Sequence, residues 1–404
     1  MPSNSNSPTA LRRKLLVLGA TLPPASLLQA QSSQPIRIGS SLALTGPLSS
    51  AGMLHKIAGE IYVETLNSRG GLLGRQIEWV VKDDQSKPDL ARTLYEQLVT
   101  VTKADLLLGP YGTANILAAI GVAQRYRKLL IHHSFGIPHL AKYELQFPAW
   151  GIGHVPETTF PKTVFDALAA TAKPPKTIAI VTSKFPSAHF LSVGARAVAK
   201  NRGLNELLYL EWEFGNRDFG AVASRLKAAN PDVIWVGSIG LEGSLLIDAC
   251  KRIDYFPPLH VHLYPAPQPM AKSPDTQGAL AAALFEAHAP FTDSPSVREF
   301  VAKFAERAEQ AKLPDNMVET QAAASYVAWQ MFEAAIRATK SIDDLTLAEW
   351  FKKNTMDSIV GKLRFDGPNN YGDDHLRLKQ VQNGKWVIVW PREYAPPGTQ
   401  LIVK

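Results

Sequence analysis

The chain has 404 residues, of which 46% are hydrophobic and 20% are charged, and its formal net charge is +7. A chain of this length exceeds the usual size of one domain, so two lobes are expected. The basic excess is small and scattered, which argues against a nucleic-acid-binding stripe. The single cysteine, Cys250, excludes a disulfide within the chain and is interpreted as a buried core residue.

The first thirty residues have the pattern of an export signal. Arg12, Arg13 and Lys14 form a basic segment, and residues 15–28 form an apolar stretch that is too short to cross a bilayer. Cleavage is expected near Ala30 and would leave a periplasmic protein. The Sec and twin-arginine routes both remain open, and so does the alternative that residues 1–30 are a tail without a targeting role.

From Ile36 onward, apolar strands alternate with amphipathic helices. Apolar residues recur at helical spacing over residues 54–66, as on one face of a helix. Ser86 and Asp89 have the spacing of a capping box at the start of the next helix. The expected strands of this first series are 36–39, 77–81, 105–109 and 128–132, and the expected helices are 54–66, 90–98 and 114–126.

A second series with the same alternation follows a proline-marked stretch at 148–161. Repeated βα units at this spacing predict parallel sheets flanked by helices, one sheet in each of two α/β lobes. The tail differs, because helices follow one another there and hairpin-like strands come last, with Asn383-Gly384 as the turn. The expected strands are 177–181, 207–212, 232–237, 259–263 and 284–287, the expected helices are 188–201, 219–226, 242–252, 296–311, 316–339 and 345–354, and the last strands fall within 361–390.

Five short motifs occur in order along the chain. They are a strand and loop at 38–48, N-x-x-G-G-x-x-G at 67–74, D-D-x-x-x-P at 83–88, G-x-x-x-T at 109–113 and G-x-x-x-F-D at 361–366. Together these motifs resemble the type I periplasmic-binding family, and specifically its leucine/isoleucine/valine-binding group. The resemblance extends over nearly all of the chain that follows the export signal.

The resemblance implies a two-lobed α/β fold in which each lobe is a parallel sheet flanked by helices and three crossovers form a hinge. Lobe one would comprise residues 36–153 and 286–360, and lobe two residues 156–283 and 363–404. It also implies the substrate-binding component of an ABC transporter, which captures a small amino acid or related carboxylate between the lobes and delivers it to an inner-membrane permease. Such a protein is expected to be a monomer and to need no cofactor, metal or nucleic acid.

Ligands in parallel sheets bind at the loops that follow the carboxyl ends of the strands. Six loops qualify, three in each lobe, and they supply the candidate ligand-binding residues. The loops are 45–52, 110–113 and 133–137 in lobe one, and 183–187, 238–242 and 264–267 in lobe two. The candidates are Tyr111, Gly112, Thr113, Ser134, Phe135, Gly136, Phe185, Ile239, Glu242 and Tyr264.

Thr113 and Ser134 are predicted to hold a ligand carboxylate. A helix is expected to begin after residues 110–113, and its unpaired backbone N–H groups favour an anion, to which both residues add a hydroxyl donor. The resemblance adds that the family binds a ligand carboxylate with the hydroxyls and amides of these two loops. The alternative for Thr113 is a plain helix cap.

Three departures from the family's amino-acid binders affect the expected ligand. Ala51 stands where a tyrosine is common, Gly136 replaces a hydroxyl residue, and the loop 264–267 has no acid that could pair with an ammonium. Glu242 is the nearest acid in lobe two, although an acid at a helix start often interacts only with the helix dipole. An aromatic or branched aliphatic carboxylate is therefore expected to bind more tightly than leucine, isoleucine or valine.

Two other classes of protein compete with this interpretation. An enzyme is disfavoured because the chain has no G-x-G-x-x-G after a strand and no P-loop, G-x-S-x-G or H-E-x-x-H motif. His132 and His133 are adjacent in a predicted strand and would point to opposite faces, so a metal site is not predicted. A ligand-sensing regulator on the same fold remains open, and the absence of export would distinguish it from a transport protein.

Overall fold

The computed structural model describes residues 1–3, 34–314 and 316–403. The basic segment around Arg12, the apolar stretch 15–28 and the expected cleavage position near Ala30 lie outside the described residues, so export stays a prediction. Within the described ranges, no helix is both long enough and apolar enough to span a bilayer.

The first sheet is built from the N-terminal series of strands. Its strands are β1 Ile36–Leu42, β2 Ile77–Asp83, β3 Leu106–Leu108, β4 Leu130–His132 and β5 Gln146–Pro148, and the helices between them are α1 Ser49–Ser68, α2 Pro88–Thr100 and α3 Thr113–Tyr126. The strand order is β2-β1-β3-β4-β5, and neighbouring strands are parallel. β3 and β4 are buried along their whole length, as expected when helices cover both faces of a parallel sheet.

The second sheet takes strands from the second series and from the tail. After β5 the elements are α4 Pro156–Ala169, β6 Thr177–Ser183, α5 Pro186–Asn201, β7 Asn205–Trp212, α6 Gly220–Ala229, β8 Val233–Gly240, α7 Glu242–Arg252, β9 His260–Pro265, α8 Pro267–Lys272, β10 Leu280–Ala283, α9 Pro295–Gln310, α10 Thr320–Thr339, α11 Asp344–Lys353, β11 Met356–Ser358, β12 Gly361–Leu363, β13 Arg377–Gln382 and β14 Lys385–Trp390. The second sheet has the order β14-β13-β10-β9-β8-β6-β7. Only its tail strands β13 and β14 run antiparallel to their neighbours in this part of the described chain.

The turn between β13 and β14 is the one that the sequence predicts. Asn383 has φ 52° and Gly384 has φ 74°, which are the positive values that a two-residue hairpin turn of type I′ requires at both positions. The hairpin prediction is therefore confirmed, and the hairpin extends the edge of the second sheet.

The tail helices pack against the first half of the molecule, although the tail strands β13 and β14 belong to the second sheet and β11 and β12 form a separate antiparallel pair. Ser325 Oγ on α10 donates to the main-chain oxygen of His55 on α1 at 2.9 Å. Lys128 Nζ pairs with Asp344 Oδ2 on α11 at 2.6 Å. The tail thus contributes to both halves of the molecule, and the expected lobe boundaries at 36–153 with 286–360 and at 156–283 with 363–404 stay a prediction.

The predicted capping box at Ser86 and Asp89 is wrong. Helix α2 begins at Pro88 after Lys87, and no side chain caps it. Ser86 Oγ instead donates to the main-chain oxygen of Thr45 at 2.8 Å, which ties the loop after β2 to the loop after β1.

The strand expected at 284–287 lies four residues earlier, as β10. Its sequence is one leucine and three alanines, and alanine has a low preference for strands, so the pattern pointed to the bulkier residues that follow. All four residues are buried between neighbouring strands, which selects small side chains there. Helix α4 was also missed, because Pro156 and Pro161 mark a break, yet Pro156 takes the first position of the helix, where proline is tolerated.

One buried arginine connects the segments that cross between the two sheets. Arg377, 2% exposed, donates from Nη1 to the main-chain oxygens of Leu284 at 2.8 Å and His375 at 2.9 Å. Its Nη2 donates to the main-chain oxygen of Val360 at 2.9 Å. The amide of His375 in turn donates to the main-chain oxygen of Gly151 at 2.7 Å. Segments near all three expected crossovers are therefore joined through the start of β13.

Candidate ligand-binding cleft

A cavity of about 380 Å³ lies between the strand-end loops of the two sheets. Its first wall comes from the loop after β1, from Tyr111 after β3 and from the start of α10. Its second wall comes from the loop after β7 and from the carboxyl ends of β8 and β9 with the residues that follow them, and Lys379 of β13 and Ala282 of β10 also line the cavity. The lining segments are 46–54, 214–217, 239–245, 264–266 and 319–321. Ala51 lies in the first of these, and its small side chain leaves room in the cavity.

A smaller recess of about 20 Å³ adjoins the cavity. Tyr111, Ile239, Tyr264 and Gln321 line both spaces. The recess has room for about one water molecule. The two walls touch beside it, since the rings of Trp150 and Tyr264 meet edge to face with centroids 5.7 Å apart.

The structure divides the ten predicted site residues into three groups. Four residues line the cavity, namely Tyr111, Ile239, Glu242 and Tyr264, and all of these except Glu242 also line the recess. Four others line the recess alone, namely Gly112, Ser134, Gly136 and Phe185. Thr113 and Phe135 line neither space, and they are 1% and 0% exposed. Their roles in binding stay predictions.

Gly112 follows β3 and Ser134 follows the neighbouring strand β4, and the two residues lie close together, as the sequence predicts for the ends of adjacent strands. The amide of Gly112 donates to Ser134 Oγ at 3.5 Å. Gly112 has φ 95°, which favours glycine, and an added Cβ would lie 3.0 Å from Leu48 Cδ1. Thr113, the next residue, is the first of α3, so its hydroxyl is buried at the helix start rather than in the recess.

Glu242 is buried, and groups of the second wall surround its carboxylate. Its Oε1 accepts from Trp212 Nε1 at 3.1 Å and from the amide of Gly215 at 3.0 Å. Its Oε2 accepts from the amide of Ile239 at 3.2 Å, and Ser183 Oγ approaches Oε1 at 3.5 Å. Burial raises the pKa of Glu242 above its ordinary value despite these donors. The carboxylate therefore joins the loops after β6, β7 and β8.

Three charged residues of the cavity were not predicted from the sequence. Glu319, 6% exposed, precedes α10, and its Oε1 accepts from the amide of Gln321 at 2.8 Å. Lys379 is buried and pairs with Glu286 Oε1 at 2.5 Å. Arg217 is exposed and lines the cavity from the loop after β7.

Glu319 corrects one premise about the ligand. The expectation of a carboxylate without an amine considered only the acids of lobe two, of which Glu242 is the nearest, but Glu319 also lines the cavity, from the first wall. No local pattern indicated it, because the helix was expected to begin four residues earlier. Arg217 could have been found, since its loop follows the carboxyl end of a predicted strand in the same way as the six chosen loops.

Two buried histidines support the first wall next to Tyr111. The rings of His55 and His133 stack with centroids 3.9 Å apart, and His55 lies 5.1 Å from the Tyr111 ring. Burial lowers the pKa of His55 to about 3, and burial also lowers the pKa of His133, so both rings are neutral at neutral pH. In the part of the chain that the structure describes, no three His, Cys, Asp or Glu residues are grouped as a metal site.

Two largely parallel sheets, connected by crossovers and enclosing a ligand-sized cavity between their strand ends, define the class of two-lobed binding proteins with the type I periplasmic-binding fold. The chain belongs to the periplasmic binding protein family, whose model matches residues 35–385. The family resemblance and the fold class that the sequence predicts are confirmed.

Relatives of known function are distant. The leucine-, isoleucine-, valine-, threonine- and alanine-binding protein of Pseudomonas aeruginosa is 22% identical over 223 residues, which are 55% of this chain and 58% of that relative. The chain therefore matches less than two thirds of the length of that protein.

Two solved structures show the same fold with different ligands. The branched-chain amino acid transporter substrate-binding protein LivJ from Streptococcus pneumoniae, in complex with isoleucine, has a TM-score of 0.71 and 18% identity and covers 88% of this chain and 99% of its own. A solute-binding protein of an ABC transporter from R. palustris, in complex with benzoate, has a TM-score of 0.71 and 18% identity and covers 88% of this chain and 95% of its own. At this identity the likeness establishes the fold alone.

Proposed function

We propose that the chain is the exported substrate-binding component of an ABC transporter. Its cleft captures a small amino acid or related carboxylate and delivers it to an inner-membrane permease. The observation that carries the proposal is the 380 Å³ cavity that lies between strand-end segments of both sheets. A concave, mostly apolar space with a few convergent polar groups is the usual form of a small-molecule site. The names of the relatives, which bind branched-chain amino acids or benzoate, support ligands of this size.

The ligand carboxylate is assigned to the mouth of the recess, because the recess itself has room for only about one water molecule. Ser134 offers a hydroxyl, Gly112 offers an amide, and the first turn of α3 adds the favourable end of the helix dipole. Tyr111, Ile239 and Tyr264 line both the recess and the cavity and are suited to pack against the body of the ligand. Thr113 is proposed to contribute through the helix that it starts.

Thermal-shift measurements on the purified protein test the proposal. A panel of amino acids and organic acids is expected to contain at least one compound that raises the melting temperature in a concentration-dependent way, because a ligand that binds only the folded state stabilises it. No shift with any amino acid or organic acid, at millimolar concentration, would contradict carboxylate binding.

Calorimetry on two variants tests the carboxylate assignment. Ser134→Ala removes a charge-assisted hydrogen bond, so the ligand identified by thermal shift is expected to bind with about 1.5–3 kcal/mol less free energy. Thr113→Val keeps the side-chain shape and should leave the affinity unchanged. An equal loss in both variants would instead favour the sequence prediction that the two hydroxyls act as a pair.

The location of the protein decides between transport and regulation. The mature protein is expected in the periplasm and to begin near Gln31, and its intact mass after osmotic release measures this. An unprocessed chain that stays in the cytoplasm would contradict export and favour the ligand-sensing regulator. Purification together with a membrane permease would test the transport partner.

A further inference from the structure

We propose that the cleft is shaped for a carboxylate whose apolar body is about as large as two aromatic rings, and that it discriminates by size against acids with smaller bodies. The inference rests on the proposed function, because it takes the ligand carboxylate to lie at the mouth of the recess. It adds the size and the polarity of the rest of the ligand, which would occupy the cavity between the two walls.

The cavity keeps its volume although the two halves of the molecule are in contact across the cleft. The rings of Trp150 and Tyr264 meet there, and so do the rings of His139 and Phe190, with centroids 5.1 Å apart. An apolar cavity of about 150 Å³ holds one benzene molecule. The cavity here, at about 380 Å³, is more than twice as large, so a branched aliphatic side chain such as that of leucine would leave much of it unfilled.

Small residues on both walls create this room. Ala51 lines the cavity from the first wall, and Gly240 and Ala266 line it from the second. The apolar lining continues to the rim, where Leu241 is 50% exposed. A single exposed leucine is common on protein surfaces, but this one borders a cavity, so a ligand that fills the cavity would cover it.

Aromatic rings line the cavity on both sides. Tyr111 belongs to the first wall, and Phe214 and Tyr264 belong to the second. The Phe214 ring is supported from behind by the Phe185 ring, with centroids 4.9 Å apart. Aromatic side chains pack favourably against other rings in offset or edge-to-face arrangements, so these walls suit a flat ligand body.

The charged residues of the lining do not require a charged ligand body. Glu242 accepts hydrogen bonds from three donors of the second wall, and Glu319 is the N-cap of α10 and accepts from a main-chain amide at 2.8 Å. Lys379 pairs with Glu286 at 2.5 Å, and both side chains are at most 3% exposed. Each of these buried charges already has a partner within the protein, which is the condition for keeping a charge in the interior. An apolar body would leave these pairs undisturbed.

The experiment compares acids that carry the same acetate group on bodies of increasing size. Calorimetric titrations of the purified protein use 4-methylpentanoate, phenylacetate and 2-naphthylacetate. The unaltered protein is expected to bind 2-naphthylacetate about tenfold more tightly than either smaller acid, because each additional buried carbon adds hydrophobic stabilisation.

Two variants test whether the preference comes from this cavity. Ala51→Leu should weaken the binding of 2-naphthylacetate about tenfold and that of phenylacetate less than about threefold, because the added carbons take up space that the second ring needs. Leu241→Ala should weaken the binding of 2-naphthylacetate about threefold and leave phenylacetate unchanged, because only the larger body reaches the rim. Ala228→Leu on the exposed side of α6 is the matched control, since Ala228 lines neither the cavity nor the recess, and it should change neither affinity.

Two results would overturn the inference while leaving carboxylate binding intact. One is equal or tighter binding of a smaller acid by the unaltered protein. The other is an affinity for 2-naphthylacetate that Ala51→Leu and Leu241→Ala both leave unchanged, since the preference would then come from apolar adsorption elsewhere. If Ala51→Leu lowers the melting temperature, Leu241→Ala decides alone, because its side chain is exposed and its loss is tolerated by the fold. Failure of these acids and of every other carboxylate to bind would overturn the proposed function as well.

Discussion

The two walls of the cleft each present an acid at the start of a helix, and the two acids have different surroundings. Glu242 in the second wall accepts from Trp212, Gly215 and Ile239, which lie at or just after the carboxyl ends of β7 and β8. Glu319 in the first wall accepts from the amide of Gln321 in its own helix and lines the cavity. Glu242 is the first residue of α7 and Glu319 is the N-cap of α10, so an acid near a helix start connects neighbouring segments of its wall in one case and caps its own helix in the other.

The largest expected effect is on the free energy of unfolding, which should fall more when Glu242 is replaced than when Glu319 is replaced. Glu242→Ala leaves two amides and an indole N–H without their acceptor, and each buried donor without a partner costs about 1–3 kcal/mol. The free energy of unfolding should therefore fall by about 3 kcal/mol or more. Glu319→Ala removes a helix cap and should cost about 1 kcal/mol. Urea unfolding measures both, and equal losses would break the comparison between the walls.

Low pH should decrease the free energy of unfolding through the buried His55 in the first wall. Burial lowers the pKa of His55 from 6.5 to about 3, so between those pH values the unfolded chain binds more protons than the folded one and stability falls as the pH falls. At pH 5 the contribution of His55 to this loss is about 2 kcal/mol.

Urea unfolding at pH 7 and at pH 5 tests this. In His55→Gln the difference between the two pH values should be smaller by about 2 kcal/mol, since one histidine that binds a proton only after unfolding has been removed. An unchanged difference would mean that His55 is not held neutral next to Tyr111. His133, stacked on it, keeps its own contribution in this variant.

A smaller effect, on ligand affinity, is expected when the contact between the two walls is disturbed. A Cβ added at Gly136 in the first wall would lie 2.8 Å from Ser187 Cβ in the second, so Gly136→Ala should hold the walls apart. Overpacking costs about 1–3 kcal/mol, which corresponds to a loss of ligand affinity of about 5- to 150-fold. Gly121→Ala on α3 is the matched control, because no atom lies within 4 Å of the added Cβ. A similar affinity in both variants would show that the walls need not touch at this point.

The smallest effect is expected at the rim of the second wall. Arg217 is exposed and lines the cavity, so it should act mainly on the rate at which an anionic ligand arrives. Arg217→Ala should slow association about threefold at low ionic strength, with little change at high salt. Stopped-flow fluorescence measures the rates, and Arg225→Ala on the exposed side of α6 is the control. Faster dissociation, or slower association at all salt concentrations, would indicate a direct contact between Arg217 and the ligand instead.

The alternation of strands and helices could be predicted because the burial of each element is visible in the apolar pattern of its own residues. β3 is three leucines, as a strand covered on both faces requires, and the turn at Asn383-Gly384 depends on two φ values that those residues adopt readily. β10 was misplaced because its alanines are buried by neighbouring strands, which a single-sequence pattern does not include.

The site was predictable only where it depends on strand ends. These residues lie at or just after the carboxyl ends of strands and meet at the cleft, as the rule for parallel sheets requires: Tyr111, Ser134, Ile239 and Tyr264. Glu319 and Lys379 reach the cavity because the tail returns to both sheets, and no local pattern relates them to the loops that they join.

The bonds of Arg377 have a mechanical consequence. Three connections between two rigid bodies could in principle bend independently, which would allow shear and tilt as well as rotation. Here the planar guanidinium of Arg377 lies 3.8 Å from the centre of the Tyr394 ring and donates hydrogen bonds to the main-chain oxygens of Leu284, Val360 and His375. A lysine could not reproduce this geometry, because its ammonium lacks the planar arrangement of donors. The three connections are therefore joined at Arg377. If the two halves of the molecule move apart, they either rotate about this side chain or first break its hydrogen bonds to the backbone.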